Sequence, residues 1–212
     1  MIKVLIADDH DIVREGVKQI VSETSDIVVG GEARSGAEAL DLARRGGWDV
    51  IILDLNLPDR PGLDVLTQLR TIADAPVLIL SMHAEASYAS RALRSGALGY
   101  VSKSSAREDL VPAIRNVARG ERFLSPALAQ LLAFDAMWPS RERSHESLSG
   151  REFQILCLIA AGKPPRDIAT ELNVSVKTVA THRARLLQKM GLRNNAELVQ
   201  YAIEHHLLPE RT

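Results

Sequence analysis

The chain has 212 residues, of which 46% are hydrophobic and 25% are charged, and its formal net charge at pH 7 is −1. Such a chain can bury a substantial core and is long enough for two modest domains. No segment approaches the roughly 18 uninterrupted apolar residues of a membrane-spanning helix, and the N-terminus lacks an apolar signal core behind a charged flank. These patterns predict a cytoplasmic protein with no membrane partner.

Charge is divided unevenly along the chain. Residues 1–124 contain 15 Lys and Arg against 18 Asp and Glu, whereas residues 148–212 contain 9 against 6. An acidic first part and a basic second part indicate two functions, although ordinary scatter of surface charge also explains such counts. The single cysteine, Cys157, lies in an apolar helical run without a partner for a disulfide or a thiolate metal site, so we expect it in the core.

Five short β-branched runs alternate with amphipathic stretches over the first 120 residues. This alternation predicts a doubly wound α/β domain with a five-stranded parallel sheet and helices on both faces. Three of the runs contain continuously apolar segments, as strands buried on both faces do, whereas IVVGGEA carries two glycines that suit an edge strand. The runs are IKVLIAD, IVVGGEA, DVIILD, PVLILS and LGYVS.

The chain then changes character. Residues 126–138 predict one more helix, and the polar stretch PSRERSHES at 139–147 predicts an interdomain linker. Beyond Leu148 the hydrophobic periodicity is purely helical. We therefore expect domains at 1–122 and 148–212, joined by a linker at 123–147 that contains one helix.

Four of the predicted strands carry polar residues at or just beyond their carboxyl ends. Asp8 and Asp9 follow the first strand, Asp54 the third and Lys103 the fifth, and Ser81 ends the fourth. Ligands of open parallel sheets bind outside the carboxyl ends of the strands, so these five residues should converge on one edge. A single Asp after a strand is weak evidence, because many such residues cap helices, but five convergent positions are harder to dismiss.

The residue types at this edge indicate a chemistry. Three neighbouring carboxylates repel one another, and a hard divalent cation with oxygen ligands, Mg²⁺ above all, relieves that repulsion. A carboxylate beside such an ion can attack an activated phosphoryl group and form an aspartyl phosphate, provided that positive charge meets the phosphate oxygens. Lys103 and the ion supply that charge, and Ser81 offers a hydroxyl donor.

These residues resemble the receiver domain of bacterial two-component response regulators. The motifs are the Asp pair at 8 and 9, IILDLNLPDRPGLDVL around Asp54, Ser81, and GALGYVSK ending in Lys103. The resemblance covers about residues 2–120 and implies a flavodoxin-like fold in which a sensor histidine kinase phosphorylates Asp54.

The same resemblance assigns further roles. Lys103 and Ser81 would take part in phosphoryl transfer, Ser81 and Tyr100 would be the switch residues, and Asp8 would reach the metal through water. Serine stands where threonine is commoner in this family, and no proline follows Lys103. The implied Mg²⁺ site consists of Asp8, Asp9, Asp54 and the backbone carbonyl of Asn56.

Two other functions are compatible with the residues of the first domain. One is a phosphatase with an aspartyl-phosphate intermediate, similar to the haloacid dehalogenases, but Asn56 stands where those enzymes need a carboxylic acid that can donate a proton. The other is a regulator that keeps the receiver fold and ignores phosphate. The favoured interpretation is a regulator whose only catalysis is its own phosphorylation and dephosphorylation. His10 and His83 also lie near this edge, where surface placement is favoured over a role in binding Mg²⁺.

The sequence of the second domain predicts four helices, at about 151–161, 165–172, 175–190 and 195–205. A short turn joins the second and third helices, as in a helix-turn-helix motif, although a small protein-binding bundle gives a similar pattern. SGREFQILCLIAAGKPPRDIATELNVSVKTVATHRARLLQKMG resembles the DNA-binding domain of LuxR-type and NarL/FixJ-type regulators. This resemblance implies DNA as a partner and a homodimer when the chain is phosphorylated or bound to DNA, with RNA polymerase as a further candidate.

The third helix sorts into two faces at about 100° per residue. Its apolar side should pack inward and contains Val176, Val179, Leu186, Leu187 and Met190. The opposite side faces the groove, while the Arg183 stem should follow the core edge. Ala180 and Ala184 are too short for long-range hydrogen bonds, which predicts few direct base contacts and a degenerate operator. The candidate DNA-contacting residues are Lys177, Thr178, Thr181, His182, Arg183, Ala184, Arg185, Gln188 and Lys189.

The last helix contains four apolar residues, of which some should pack in the core and others should remain free to contact a second copy of the chain. They are Leu198, Val199, Ala202 and Ile203. Dimers that bind two half-sites on DNA are the expected bound form. The tandem His205 and His206 at its end are better explained by the helix dipole than by a metal.

Overall fold

The computed structural model describes residues 1–82, 86–137, 145, 148–205 and 207, and the chain divides into two compact units, Met1–Ala133 and Phe134–Thr212. The strands of the first unit are β1 (Ile2–Ala7), β2 (Ile27–Ala33), β3 (Val50–Leu53), β4 (Val77–Ser81), β5 (Gly99–Ser102) and β6 (Phe123–Leu124). Its helices are α1 (Asp11–Ser22), α2 (Gly36–Arg44), α3 (Gly62–Ile72), α4 (Ala86–Arg94) and α5 (Ala106–Ala118), after which α6 (Pro126–Met137) crosses into the second unit.

The described strands form one parallel sheet in the order β2-β1-β3-β4-β5-β6. The predicted doubly wound α/β fold is thus confirmed, with one strand more than the sequence indicated. The addition is β6, which extends the sheet beyond β5 through the pairs Gly99 with Phe123 and Tyr100 with Leu124. Two residues are too few to show an alternating pattern, so periodicity alone could not identify this strand.

The prediction that the glycine-containing run forms an edge strand is confirmed, because β2 is outermost in the sheet. Its glycines also make room for a neighbouring aromatic ring. A Cβ on Gly31 would lie 2.6 Å from Cη2 of Trp48, and the pairing of β1 with β2 shifts register at this point. Lys3 covers the same ring, with its Nζ 4.8 Å from the ring centroid, in a cation–π contact.

The continuously apolar segments VLIA, VIIL and VLIL are buried throughout, as predicted for strands covered on both faces. One face of the sheet packs against α1 and α5 through a cluster that includes Val17 and Leu110. Helix α2 contacts both β1 and the neighbouring α3. Packing on both faces therefore buries the central strands and positions their carboxyl ends.

The loop after β3 is tied to the start of α2 by Asp59. Its carboxylate accepts hydrogen bonds from the backbone N–H groups of Gly36 at 2.7 Å and Ala37 at 2.9 Å, while Ser35 accepts one from Glu38 N. Burial acts to raise the pKa of Asp59, but these hydrogen bonds outweigh it and hold the pKa below its usual range. The ionised carboxylate thus completes the capping of α2.

Replacing Asp59 by Ala is expected to lower the free energy of unfolding by about 1 kcal/mol at neutral pH, because two helix N–H groups lose their acceptor. The folded pKa of Asp59 is depressed, so this stabilisation is complete above the unfolded pKa of about 3.9 and disappears as pH falls through the folded pKa. Urea unfolding at several pH values measures the difference. The matched control is Asp41→Ala on the exposed side of α2, and an equal loss in both variants would contradict the assignment.

The second unit contains four described helices after α6: α7 (Gly150–Ala160), α8 (Pro165–Glu171), α9 (Val176–Met190) and α10 (Asn195–Glu204). Their boundaries follow the predicted signals. Pro165 starts α8, the Ser175 side chain accepts a hydrogen bond from Thr178 N at the start of α9, and Gly191 ends α9 in a left-handed conformation with φ of 66°. Asn173 in the turn between α8 and α9 is also left-handed, with φ of 49°.

The remaining expectations from the sequence concern Cys157, the predicted linker, two histidines and membrane-spanning helices. Cys157 is buried, as predicted. Of the predicted linker 139–147 the structure describes only His145, whose ring Nδ1 lies 2.8 Å from the Tyr201 hydroxyl. His83 and His206 lie outside the described residues. Among the helices that the structure describes, none is long and apolar enough to cross a membrane.

Candidate functional site

The register of the central strands brings two carboxylates side by side. Ala7 of β1 pairs with Leu53 of β3, and the next residues along the two strands are Asp8 and Asp54. The Asp54 N–H donates to the Ala7 carbonyl at 2.8 Å, which continues the ladder to the very end of β3. Asp8 and Asp54 are only 1% and 2% exposed, so the sheet ends in two buried acids.

Lys103 reaches this pair from the loop after β5. Its Nζ lies 2.7 Å from Asp8 Oδ2 and 2.7 Å from Asp54 Oδ2, and it donates a hydrogen bond to Asp54. The backbone fixes its position, because Lys103 N donates to the Ser81 carbonyl at 2.7 Å. One ammonium group therefore bridges two acids that the sequence separates by 46 residues.

Burial and the contact of Lys103 with both acids determine the pKa values of Asp54 and Lys103. Burial raises the pKa of Asp54, the positive charge of Lys103 acts to lower it, and repulsion from Asp8 raises it further. For Lys103, burial acts to lower the pKa, but attraction to Asp54 and Asp8 outweighs burial and raises it. Lys103 consequently stays protonated at neutral pH and is available as a fixed positive charge.

The same edge carries atoms that could hold a metal ion. Asp8, Asp9, His10 and Asp54 each offer one ligand atom, and these four atoms lie within 4.8 Å of one another. Asp54 Oδ1 is buried and accepts no hydrogen bond from the described part of the chain. An unsatisfied buried carboxylate oxygen and a set of clustered carboxylates fit a hard divalent cation.

The other predicted residues of this site occupy neighbouring positions. Ser81 is fully buried at the end of β4, and Tyr100 is buried in β5 beside Ile79. Asn56 forms an isolated bridge with Pro61 in the loop that follows Asp54. The structure thus brings Asp8, Asp54 and Lys103 into direct contact and places Ser81 and Tyr100 on the adjacent strands.

Sequence reasoning missed Arg14, whose guanidinium is buried next to the site. Its Nη1 donates to the Asp8 backbone carbonyl at 2.8 Å, its Nε donates to Glu32 at 2.9 Å, and it also pairs with Asp11. Arg14 thereby fixes the backbone that carries Asp8. A signal was present, because Arg14 lies three residues before Val17 on the apolar stripe of α1, where an unpaired charge would be costly.

The second candidate site is the exposed face of α9. The predicted groove-facing residues Lys177, Thr181, Ala184, Arg185 and Gln188 are all exposed. The opposite face packs inward through Val179, Leu186, Leu187 and Met190, as expected. The face of α9 that is available to a partner is therefore polar, with two basic side chains and no acidic one among its five residues.

Val176 corrects the prediction for the apolar side of α9. It is 46% exposed, whereas its helical angle placed it with the inward residues. The physical reason is its position as the first helical residue, because no preceding turn of α9 extends the packed face that far. Helical angle alone predicts burial only where a helix has neighbours along its whole length.

Four candidate DNA-contacting residues differ from the exposed groove-facing set in their burial or in their contacts within the unit. Arg183 is half-buried and donates from Nε to Asn195 Oδ1 at 2.6 Å, and Lys189 donates to the buried Glu152 at 2.7 Å. His182 Nδ1 is buried without a hydrogen-bond partner among the described residues. Burial and the positive charge of Arg151 lower the pKa of His182, so its imidazole is neutral at pH 7. Thr178 is also half-buried, at the capped start of the helix.

Comparison with known proteins matches both units. Residues 4–115 match the family model described as response regulator receiver domain, and residues 146–202 match the model described as bacterial regulatory proteins, luxR family. Response regulator UvrY of Escherichia coli (strain K12) is 36% identical over 214 residues, covering 100% of this chain and 98% of UvrY. Response regulator GacA of Pseudomonas aeruginosa is 36% identical over 210 residues, covering 98% of each chain.

A solved structure shows the same architecture. RcsB from Salmonella enterica serovar Typhimurium, bound to a promoter in the presence of the phosphomimetic BeF3−, superposes with a TM-score of 0.64 at 26% identity. The match covers 94% of this chain and 97% of RcsB. The similarity therefore extends through both units of the chain.

Proposed function

This chain belongs to the two-component response regulators that join a receiver domain to a LuxR-type DNA-binding domain, and we propose that phosphorylation of Asp54 controls its binding to DNA. One observation carries the proposal. Lys103 Nζ lies 2.7 Å from both Asp8 and Asp54, while Asp54 Oδ1 has no hydrogen-bond partner among the described residues. A buried carboxylate thus combines a free oxygen with a fixed cation.

Asp54 is the nucleophile in this proposal. One of its carboxylate oxygens forms a bond to phosphorus, the bond from phosphorus to the donor breaks, and the donor departs with the electron pair. Lys103, held beside Asp54, is positioned to attract the phosphoryl oxygens. Ser81 at the end of the next strand offers a hydroxyl donor to the same oxygens. The donor is a sensor histidine kinase, the partner implied by a receiver domain.

Mg²⁺ is the proposed cofactor of this step. Asp8, Asp9, Asp54 and Asn56 would hold it, and the clustered carboxylates with an unsatisfied buried oxygen support that assignment. When bound, the ion offsets carboxylate repulsion and neutralises charge on the phosphoryl oxygens. The phosphorylation chemistry is the only catalysis that we assign to the chain.

Phosphorylation acts on DNA binding by shifting a population of states. Ser81 and Tyr100 lie on the neighbouring strands β4 and β5, so a shift of both residues toward the phosphoryl group would reshape that part of the sheet. A state competent to form a homodimer on DNA would gain about 1 to 3 kcal/mol. The exposed Ile203 on α10, at 58%, offers apolar surface for a second copy. We place this regulator in the cytoplasm, where it meets DNA and RNA polymerase.

The phosphoryl step is tested by incubating the full chain with acetyl phosphate and Mg²⁺ and following its intact mass. A persistent phosphate adduct that requires Mg²⁺ supports the proposal. Release of inorganic phosphate without an adduct would instead indicate the phosphatase alternative. A chain that forms no adduct and consumes no donor would be a receiver fold that ignores phosphate.

Lys177→Ala is expected to weaken DNA binding on all sequences alike and to reduce the slope of log affinity against log salt by about 1, because Lys177 is exposed on α9 and has a phosphate-contact role in this proposal. Fluorescence anisotropy on promoter and random DNA at several salt concentrations measures both effects. Lys18→Ala, in the receiver domain, removes the same charge from α1 and serves as the control. An unchanged salt slope for Lys177→Ala would remove this residue from the interface.

A further inference from the structure

His10 adds a nitrogen atom to the carboxylate cluster. It is the N-cap residue of α1, yet its side chain makes no capping hydrogen bond. Its ring Nδ1 instead lies 2.8 Å from Asp9 Oδ1 and 3.2 Å from Asp8 Oδ1. The imidazole is 61% exposed, so contact with the two acids, rather than core packing, accounts for this orientation.

These separations are hydrogen-bond distances, and the contact with Asp8 Oδ1 is a hydrogen bond in this structure, but they also equal the spacing of ligands around one metal ion. With metal–ligand bonds near 2.1 Å, adjacent ligand atoms of an octahedron are about 3.0 Å apart. Nδ1 of His10 has that spacing from both acids. A second observation concerns the same cluster, because Asp54 also offers a ligand atom to it, is 2% exposed and has an Oδ1 that accepts no hydrogen bond from the described residues.

A nitrogen ligand changes which ion a carboxylate site prefers. Mg²⁺ takes oxygen ligands almost exclusively, whereas imidazole binds first-row transition-metal ions with an affinity that rises along the series from Mn²⁺. We propose that His10 is a metal ligand of this site and makes it favour divalent transition-metal ions over Mg²⁺. The inference rests on the carboxylate pocket of the proposed function and adds to it the selectivity of that pocket.

Binding of Mn²⁺ and of Mg²⁺ to the full chain, each measured by equilibrium titration, tests this selectivity. His10→Ala is expected to weaken Mn²⁺ binding at least 10-fold, which is the low end of the roughly 10- to 100-fold cost of losing even an outer partner of a metal ligand. Mg²⁺ binding should change much less. Mn²⁺ is the most stringent probe, because it gains least from imidazole within the series.

Pulsed electron paramagnetic resonance of bound Mn²⁺ gives a direct readout of the ligand. The natural chain should show coupling to a ¹⁴N nucleus, and His10→Ala should lose it. His83→Ala is the matched control, since the sequence places this second histidine near the same edge. Unchanged Mn²⁺ affinity in His10→Ala, or ¹⁴N coupling that survives in it, would overturn the inference.

Asp54→Asn separates failure of this inference from failure of the proposed function. If Asp54→Asn weakens binding of both ions while His10→Ala weakens neither, the carboxylate pocket stands and His10 is not a ligand. If Asp54→Asn leaves both affinities unchanged, the ions bind elsewhere, and the metal site of the proposed function fails together with the inference.

Discussion

Asp54→Asn is expected to abolish the response of DNA affinity to a phosphoryl donor. The natural chain should bind its operator about 5- to 150-fold more tightly after incubation with acetyl phosphate and Mg²⁺, corresponding to about 1 to 3 kcal/mol of coupling. The amide has nearly the same shape as the carboxylate but is too weak a nucleophile to accept phosphate. Burial is the main cause that raises the pKa of Asp54, so a neutral amide at this position removes a charge that burial disfavours, and the fold should persist.

Electrophoretic mobility shift with and without the donor measures this response. Asp41→Asn, on the exposed side of α2, is the control and should respond like the natural chain. A donor-dependent gain in affinity that persists in Asp54→Asn would show that the switch operates through another residue or without phosphate.

Lys103→Met is expected to change two properties in opposite directions. Phosphorylation should slow by roughly 10²- to 10³-fold, the usual cost of removing one group that stabilises transition-state charge. Affinity for Mg²⁺ should rise, because the substitution removes a cation that lies 2.7 Å from both Asp8 and Asp54. A variant that was merely misfolded would lose both properties.

Stopped-flow measurement of phosphorylation and a separate Mg²⁺ titration check the two directions. Lys18→Met is the control, since Lys18 pairs with Glu15 of α1 and Glu32 of β2 and should leave both properties unchanged. A slower reaction together with weaker Mg²⁺ binding would contradict the electrostatic role assigned to Lys103.

The general position of the site could be predicted because parallel strands align their carboxyl ends. The apolar runs identified the strands, and the polar residues that follow these runs identified Asp8, Asp54 and Lys103 as members of the site. What the sequence could not provide is the register, in which Ala7 pairs with Leu53, and the single ammonium group that bridges both acids. Those depend on how strands distant along the chain align, and local patterns carry no information about that.

The residues that sequence reasoning missed are held by tertiary contacts. Arg14 reaches Glu32 of β2 and the Asp8 carbonyl only because α1 packs over the edge of the sheet. In the second unit, the missed residue is Glu152, which pairs with Lys189 from 37 residues away along the chain. Glu152 also accepts a hydrogen bond from Ser149 N in the capping box of α7. Burial acts to raise the pKa of Glu152, but Lys189 and the capping hydrogen bonds hold it below its usual value.

The ion pair between Lys189 and Glu152 affects which side chains of α9 are available to contact DNA. The exposed face of α9 follows from helical periodicity, and the structure agrees with it except at Val176, where the helix begins. Periodicity could not predict the pairing of Lys189 with a buried carboxylate. The angular position of a residue on a helix indicates which side of the helix it faces, but not which side chain it contacts. Lys177 and Arg185 are consequently the stronger candidates for phosphate contacts.

The most direct measurement is the location of the phosphate. The full chain is treated with acetyl phosphate and Mg²⁺, the acylphosphate is trapped by borohydride reduction, and peptides are sequenced by tandem mass spectrometry. Modification is expected at Asp54 alone. Modification at Asp8 or Asp9, or none at any of the three carboxylates, would contradict it.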